Sequence, residues 1–335
     1  MNIDYDSEEG VVTPWYIRRV EARFSVDDLD SVAVSILLKP GGNPTVLKQL
    51  MPGEKYKLKL DNLQMQGDFV HMSFRQTALG LEATAHGLET LHRLRHQRLS
   101  EIKEQTRDEV VKTLLKMASV KSSSVGAAKP VKDFQVSLDD DGVKLLKKLC
   151  AERNFALYYS AGKLTYAARN VAKRGVAVKV SSASLTDLQL SLDLSEVVTS
   201  VTMHGRDYRK ASTVMKFTAV ASKLKTISKG SSAAKLLKDG FGPREHEIPW
   251  SLGKATPSAL EESAVATLQA RAETFARGRC SGEWNTALSP LSLVQFEDVS
   301  WPLTGPFLVS SVTHVVEDGM TETTAEFFSD SLSKG

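Results

Sequence analysis

Few residues in the chain have the types and spacing that bind a metal. His92 and His96 stand four apart, and on a helix this spacing would place two imidazoles on one face. No third ligand is near, and the glutamate of a His-Glu-x-x-His arrangement is absent. The segment Leu91–Arg98 is more typical of an Arg-rich strand. We therefore interpret both histidines as surface residues beside solvated arginines.

The run Asp139-Asp-Asp141 resembles the start of a calcium-binding loop. Gly142 is followed at once by apolar residues at helical spacing, so the later ligands of such a loop are absent. We predict that Asp140 instead caps a helix, because its side chain accepts from free backbone amides and its charge favours the positive helix end.

Serine and lysine motifs offer no catalytic or phosphate-binding site either. Residues 222–242 are rich in Ser, Lys, Gly and Ala but lack the Gly-x-x-x-x-Gly-Lys-Ser/Thr spacing that cradles phosphates. This composition predicts a mobile insertion that becomes ordered against a partner. No Gly-x-Ser-x-Gly is present, and His204 and His314 lie in predicted strands. The residues predict no catalytic, metal or cofactor site and favour a structural or binding protein.

Charge and cysteine content narrow the class of protein further. The 335 residues include 43 basic and 40 acidic side chains, which gives a net charge of +3. This near balance gives no support to sequence-specific nucleic-acid binding through phosphate charge. Cys150 and Cys280 are far apart and in no metal-binding spacing, so we expect no disulfide and a reducing compartment during folding.

The sequence carries no sign of export or membrane insertion. The N-terminus is acidic and lacks the apolar stretch of a signal peptide. No apolar run approaches the ~18 residues that a membrane helix needs. We expect a soluble protein that is made in the cytoplasm.

Alternating polarity predicts several short strands between Trp15 and His86. The clearest is Lys55-Tyr-Lys-Leu-Lys-Leu60, in which apolar residues alternate with lysines. Strands at this spacing are typical of a small barrel or sandwich. We predict a first barrel-like β domain over residues 1–88.

Residues 89–175 combine helix and strand signals and are predicted to form an α+β domain. Thr106 and Glu109 make a capping box ahead of an apolar stripe at helical spacing. A second helix ends at Asn154, which suits the left-handed conformation. A strand signal precedes this second helix at Phe134-Gln-Val136, and a hairpin over 155–166 follows it.

Residues 176–335 are β-rich again and predict a second barrel-like β domain. It contains the insertion near 222–242 and a long helix over 258–277, which starts with a capping box of Ser258 and Glu261. Asp318-Gly319 predicts a hairpin turn, because both positions readily take positive φ. The chain is therefore predicted to be a mixed, β-rich α+β protein.

The order and spacing of these segments resemble the late control protein D family of phage tails. That family includes the baseplate hub proteins of contractile-tailed phages and the N-terminal half of valine-glycine repeat protein G of type VI secretion. The resemblance covers nearly the whole chain. It rests on Arg93-x-Arg95-x-x-Arg98, Thr106-x-x-Glu109-Val-Val-x-x-Leu-Leu115, Phe134-Gln-Val136, the helix Leu145 to Asn154, the hairpin to Tyr166, Glu196 to Gly205, Gly305 to His314, and Asp318-Gly319.

The resemblance implies a structural protein with no catalytic residue in this region and no cofactor. It implies a homotrimer whose barrel-like domains form a pseudo-sixfold ring that joins a sixfold tail tube to a threefold central spike. Other baseplate proteins are further implied partners. The implied location is the virion tail baseplate, after assembly in the host cytoplasm. Because the chain stops at Gly335, soon after its last predicted strand, we expect the spike to be a separate protein.

Ring and partner contacts would cover exposed sheet edges and order flexible segments. We expect Phe327 and Phe328 to lie at such interfaces and to become ordered, with the insertion, only on assembly. The candidate interface also includes the lysines of the insertion: Lys223, Lys225 and Lys229.

Two alternatives of other classes stay open. One is a cytoplasmic enzyme with an unrecognised active site, in which acidic and histidine side chains with perturbed pKa values line one deep pocket. The other is a carbohydrate- or peptide-binding module with a groove beside Tyr158, Tyr159 and Tyr166.

Overall fold

The computed structural model describes residues 2–4, 17–26, 28–40, 45–61, 63–97, 99, 106–120, 123–125, 141–160, 163–169, 177–207 and 214–334. This part of the chain forms twenty β-strands and five α-helices, and the strands make four sheets. The predicted β-rich α+β class is therefore confirmed. None of the helices described here is long and apolar enough to cross a membrane.

The first β unit is antiparallel, with strand order β1-β4-β5-β6-β3-β2. Alternation decides its faces, as in β4, where Tyr56, Leu58 and Leu60 are buried and the lysines are exposed. A short helix, α1, joins β3 to β4. The elements are β1 (Asn2–Asp4), β2 (Ile17–Ser25), β3 (Ser31–Leu38), α1 (Thr45–Lys48), β4 (Lys55–Leu60), β5 (Leu63–Thr77) and β6 (Gly80–Glu89).

The α+β unit follows directly, with two helices against a small sheet of order β7-β9-β8. The predicted capping box starts its first helix: Glu109 N donates to Thr106 Oγ1, and Thr106 N donates to Glu109 Oε2. Asn154 ends the second helix at φ 51°, as predicted. The elements are a 3-10 helix (Thr90–His96), α2 (Arg107–Met117), β7 (Ser123–Val125), α3 (Gly142–Arg153), β8 (Phe155–Ser160) and β9 (Lys163–Ala168).

Two predictions in this unit need correction, and one falls outside the described residues. The segment from Leu91 is a 3-10 helix and not a strand, because Leu91 and Leu94, three residues apart, are both buried against α2 and α3. The cap of α3 is Asp141, whose Oδ1 accepts from Lys144 N at 2.8 Å, and not Asp140. The predicted strand Phe134-Gln-Val136 lies outside the described residues.

The second β unit continues the large sheet in the order β18-β19-β16-β11, with β17 beside β18 and β10 beside β17. The predicted turn is confirmed: Asp318 and Gly319 take φ of 48° and 85° between β18 and β19. Its strands are β10 (Val178–Ser181), β11 (Leu185–Leu192), β16 (Ala276–Gly282), β17 (Leu293–Glu297), β18 (Phe307–Glu317) and β19 (Met320–Ser329).

Residues 193–275 are inserted between β11 and β16, which are direct neighbours in the sheet. A three-stranded sheet of order β13-β12-β15 lies at the centre of the insertion, and α5 packs on one face of it. The elements are β12 (Ser200–Asp207), β13 (Val214–Val220), β14 (Ser231–Ser232), α4 (Ala233–Phe241), β15 (Glu245–Ala255) and α5 (Pro257–Ala272), and β14 pairs with the closing strand β20 (Ser331–Leu332).

The segment 222–242, predicted to be mobile, contains α4 and β14. Ser232 Oγ accepts from Lys235 N at 3.3 Å and caps the helix. Leu237 is fully buried, because the apolar side of α4 packs beside Leu332 of β20 and Phe275. Composition alone hid this pattern, since only Ala233, Ala234 and Leu237 of α4 are apolar and buried.

The helix predicted over 258–277 starts and ends earlier. Thr256 Oγ1 accepts from Ala259 N at 3.2 Å and Pro257 occupies the first turn, so the predicted Ser258 cap is wrong. The helix ends at Ala272. Arg277 and Gly278 belong to β16 because they pair with Phe328 and Phe327 of β19.

Candidate interface surfaces

One backbone pairing joins the two β units. β2 and β18 are antiparallel neighbours, with Ala22 opposite His314 and Val20 opposite Val316. A single twelve-stranded sheet therefore runs through both units. The division into domains over residues 1–88, 89–175 and 176–335 stays a prediction.

One open edge of this sheet is the far half of β5. β4 pairs with β5 only over residues 63–68. Over residues 70–77, β5 pairs with β6 on one side, and no described strand pairs with its other side. Phe74 in this stretch is 53 % exposed, and Leu79 in the following turn is 70 % exposed. This edge therefore presents apolar side chains as well as backbone hydrogen-bonding groups.

The second open edge is β11, on the opposite side of the sheet. β16 pairs along β11 from Leu185 to Leu192, and the outer side of β11 meets no strand in the part of the chain that the structure describes. Leu192 is 44 % exposed there. An exposed edge is a template for another strand, and natural proteins cover such edges. Both edges are thus candidate interfaces.

A network of ion pairs fastens the α+β unit to the insertion. Arg153 of α3 donates to Asp108 of α2 at 2.7 Å, and Arg107 lies 3.2 Å from Glu152. Glu262 of α5 lies 3.5 Å from Arg153 and 3.7 Å from Arg107. The Arg107 and Arg153 side chains are nearly buried. Removing one member would leave buried charge unpaired, so a single substitution in this network is expected to destabilise the junction.

Proteins of known structure share the overall fold described above. The 43 kDa tail protein of prophage MuSo2 from Shewanella oneidensis matches with a TM-score of 0.71 and 11 % identity, over 98 % of each chain. A tail protein from Neisseria meningitidis MC58 matches with a TM-score of 0.71 and 12 % identity, over 98 % of this chain and 96 % of that one. The chain has the fold of phage tail proteins.

A secretion protein extends the set of structures with the tail-protein fold. An Escherichia coli component of the type VI secretion system, itself similar to T4 bacteriophage tail proteins gp27 and gp5, matches with a TM-score of 0.60 and 9 % identity. The match covers 98 % of this chain and 77 % of that one. No family model and no protein with a curated description matches the sequence. The resemblance to tail and type VI secretion proteins is therefore confirmed at the level of the fold.

Two of the predicted interface residues lie inside this tail-protein fold. Phe327 and Phe328 are 2 % and 6 % exposed. Phe327 packs on Phe296 and Phe307, with ring centroids 5.2 and 4.9 Å away, while Phe328 lies in a separate cluster with Ala156 of β8. This corrects the expectation that both wait for a partner: they are already packed, because β19 is covered on both faces.

The three predicted interface lysines are exposed. The stretch before α4 contains Lys223, Lys225 and Lys229, and its backbone amides donate to side chains near the end of the chain. Ile227 N donates to Asp330 Oδ1 at 2.8 Å, and Ser228 N donates to Ser331 Oγ at 2.9 Å. The lysines are therefore presented by an ordered loop. Their contact with a partner stays a prediction.

The histidine pair near the start of the α+β unit does not form a metal site. His92 Nδ1 lies 2.9 Å from the Glu89 carbonyl oxygen, whereas His96 is exposed. No group of three or more metal-ligating side chains occurs among the residues described. The neighbouring arginines are not both solvated as predicted, because Arg93 binds Asp68.

The two strand histidines have structural contacts. His204 Nε2 lies 2.6 Å from Glu247 Oε1 across β12 and β15. His314 is 1 % exposed, its Nδ1 lies 3.1 Å from Thr323 Oγ1, and its ring contacts Trp284. Burial lowers the pKa of His314 to about 4, so this side chain is neutral near pH 7. The predicted hydrogen-bonded sheet histidine is confirmed.

A buried carboxylate pair was not found by sequence reasoning. Burial raises the pKa of Asp30 to about 7, and burial together with the Asp30 charge raises the pKa of Glu89 well above its usual range. Ser25 N donates to Asp30 Oδ1 at 2.8 Å, and Asp30 N donates to Glu89 Oε1 at 3.3 Å. These perturbed acids hold the ends of β2, β3 and β6 together through backbone amides.

The aromatic groove that would indicate a carbohydrate site is not formed by the described tyrosines. Tyr166 is fully buried, and its hydroxyl donates to the Leu149 carbonyl oxygen at 3.4 Å. Tyr158 packs in the apolar cluster of Phe328. The Tyr159 side chain lies outside the described residues.

A cleft of about 790 Å³ lies between the α+β unit and the second β unit. The end of α3, Phe155 and Arg169 form one side, and the last turn of α5 contributes Glu273. β11, β16 and β19 form the other side. No sequence motif marks this cleft, because its walls come from segments spread between residues 150 and 328.

Proposed function

We propose that the chain is a structural baseplate hub protein of a contractile phage tail or a related injection particle. In this role it forms a homotrimeric, pseudo-sixfold ring that joins the sixfold tail tube to the threefold central spike. The observation that carries the proposal is the end-to-end match with tail proteins, which covers 98 % of this chain and up to 98 % of theirs. The match includes both β units and the α+β unit between them.

The open sheet edges support a ring. A ring of identical copies is closed by repeating one heterologous contact, in which different surfaces of neighbouring copies meet. The β11 edge and the far half of β5 are different surfaces of one sheet, and both expose apolar side chains. β11 of one copy would meet β5 of the next, so every copy would cover one edge of its neighbour.

The remaining partners follow from the same role. A hub meets the tail tube on one side of the ring and the spike on the other, with other baseplate proteins around it. The protein would assemble in the host cytoplasm and reside in the virion tail baseplate. The function is structural, so it needs neither a cofactor nor catalytic side chains.

The test is the mass and shape of the purified chain, alone and co-expressed with candidate tube and spike proteins. Light scattering should give a trimer, and negative-stain images should show a ring with a central hole. A chain that stays monomeric and binds neither partner under co-expression would reject the proposal.

Matched variants locate the ring contact. Phe74→Glu places a charge on the β5 edge and is expected to abolish the ring, because the charge would be buried against the next copy. Met320→Glu changes a more exposed apolar residue, 72 % exposed, at the tip of the β18–β19 hairpin, and is expected to leave the ring intact. Rings that form equally well in both variants would exclude this edge as the contact.

A further inference from the structure

Two arginines of the cleft form no ion pair with the part of the chain that the structure describes. Arg277 and Arg279 lie on β16, two residues apart, so both side chains leave the same face of the strand. Both are exposed and line the cleft of about 790 Å³. Neither forms an ion pair with any described residue. Both guanidinium groups are therefore open to a ligand, and the charged side chains that line the cleft, Arg169, Arg277 and Arg279 against Glu273 and Glu326, leave a net charge of +1.

Residues of β11 and β19 flank each arginine across the sheet. Arg279 lies opposite Gln189 of β11 and Glu326 of β19. Glu326 also lines the cleft and places a carboxylate opposite Arg279; its Oε2 accepts a 2.6 Å hydrogen bond from Ser311 Oγ, and it forms no ion pair with Arg279. Arg277 lies between Ser191 and Phe328 in the next row of the same face.

The opposite wall is electrically neutral by contrast. Arg169 lies 3.7 Å from Glu273, whose other oxygen accepts from Asn154 Nδ2 at 3.4 Å. Phe155 adds an apolar surface beside them. A ligand that enters the cleft thus meets two guanidinium groups and the Glu326 carboxylate on one side, and amide and aromatic groups on the other.

We propose that this cleft binds an acidic segment of a partner polypeptide, with Arg277 and Arg279 each pairing with a carboxylate. The planar guanidinium group of arginine matches the two oxygens of a carboxylate. Gln189 and Asn154 carry side-chain amides, which pair with peptide N–H and C=O groups. Phe155 suits the apolar side chains of such a segment. The cleft volume lies within the range of ~300–1,000 Å³ that is typical of binding sites.

The binding test uses the full chain and a short fluorescein-labelled peptide of alternating glutamate and leucine, followed by fluorescence anisotropy. We expect binding that the matched glutamine–leucine peptide does not reproduce. Arg277→Gln and Arg279→Gln should each weaken it about tenfold, the usual effect of losing one charge-assisted pair. Arg75→Gln, which removes an exposed arginine from β5, should leave binding unchanged.

A second variant tests the cleft without changing its charge. Ala151 is exposed at the end of α3 and lines the cleft, so Ala151→Phe should block it while both arginines stay in place. Equal binding of both peptides, or an unchanged affinity in the two arginine variants, would overturn the proposal. Inorganic phosphate that displaces the peptide at equal carboxylate and phosphate concentrations would also overturn it, since the site would then be a general anion site. These measurements need no ring, so they stand apart from the test of the hub function.

Discussion

Arg93 binds Asp68 through two parallel hydrogen bonds: Nε lies 2.7 Å from Oδ2, and Nη2 lies 2.6 Å from Oδ1. Asp68 belongs to β5 of the first β unit and is 7 % exposed, while Arg93 belongs to the 3-10 helix that opens the α+β unit. The pair fastens the two units where the chain passes from one to the other. The two parallel hydrogen bonds fix the orientation of both side chains, and arginine–carboxylate pairs are strongest in this two-bond geometry.

Replacing Arg93 by alanine should lower the free energy of unfolding by about 2 kcal/mol, because buried Asp68 would lose both of its short hydrogen bonds and keep only His92 Nε2, 3.5 Å away. Arg95→Ala is the matched control, since Arg95 is exposed two residues away, and it should change stability by less than ~0.5 kcal/mol. Urea denaturation of the three proteins makes the comparison. Equal losses in both variants would show that the 3-10 helix, and not the ion pair, determines the effect.

Asp30 makes stability fall as the pH rises. Its pKa is about 7 in the folded protein and 3.8 ordinarily, so between these values the folded state keeps a proton that the unfolded chain has released. Asp30→Asn keeps an oxygen for Ser25 N and cannot ionise. It should be more stable than the parent near pH 8, by on the order of a few kcal/mol, and this advantage should vanish near pH 4. Parallel profiles for the two proteins would contradict this role.

The effect of His314 on the pH dependence of stability has the opposite sign. Its pKa is about 4 in the folded protein and 6.5 ordinarily, so between these values the unfolded chain binds a proton that the folded state does not. Stability therefore falls as the pH drops through this window. His314→Phe removes the titration and should flatten the acid side of the profile, measured by urea denaturation from pH 7 to 4. The two pH ranges overlap, so in the parent protein the effect of Asp30 partly offsets that of His314. Asp30→Asn should therefore lose stability more steeply on acidification than the parent protein does.

Leu237 packs α4, the helix of the segment 222–242, against the rest of the chain. The side chain is fully buried, so Leu237→Ala should destabilise α4 by about 2–4 kcal/mol and expose the segment to proteolysis. Leu236→Ala, one residue earlier and only partly buried, is the matched control and should remain resistant. Hydrogen exchange of 222–242 gives the same comparison residue by residue. Rapid exchange in the parent protein itself would restore the mobile interpretation.

The elements that the sequence predicted well depend on neighbours within one turn or one hairpin. Thr106 and Glu109 exchange hydrogen bonds within the first turn of α2, and Asn154 takes the left-handed conformation that ends α3. Asp318 and Gly319 close the last hairpin in the same way. In each case the residues that decide the structure stand together in the sequence, so the local chemistry is sufficient.

Tertiary structure decided the features that depend on distant partners. Leu91 and Leu94 form a 3-10 helix because α2 and α3 bury them, although the segment alone is more typical of a strand. Phe327 and Phe328 are buried because β16, β18 and β8 surround β19, which no local pattern reveals. The sheet edges and the arginine cleft arise only when strands from both ends of the chain pair. By itself, the sequence determined the class, the capping box of α2, the left-handed end of α3 and the last hairpin turn, because these use contacts between near neighbours. The surfaces open to partners were decided by long-range pairing, because a strand edge or a charge is free only when no distant segment covers it.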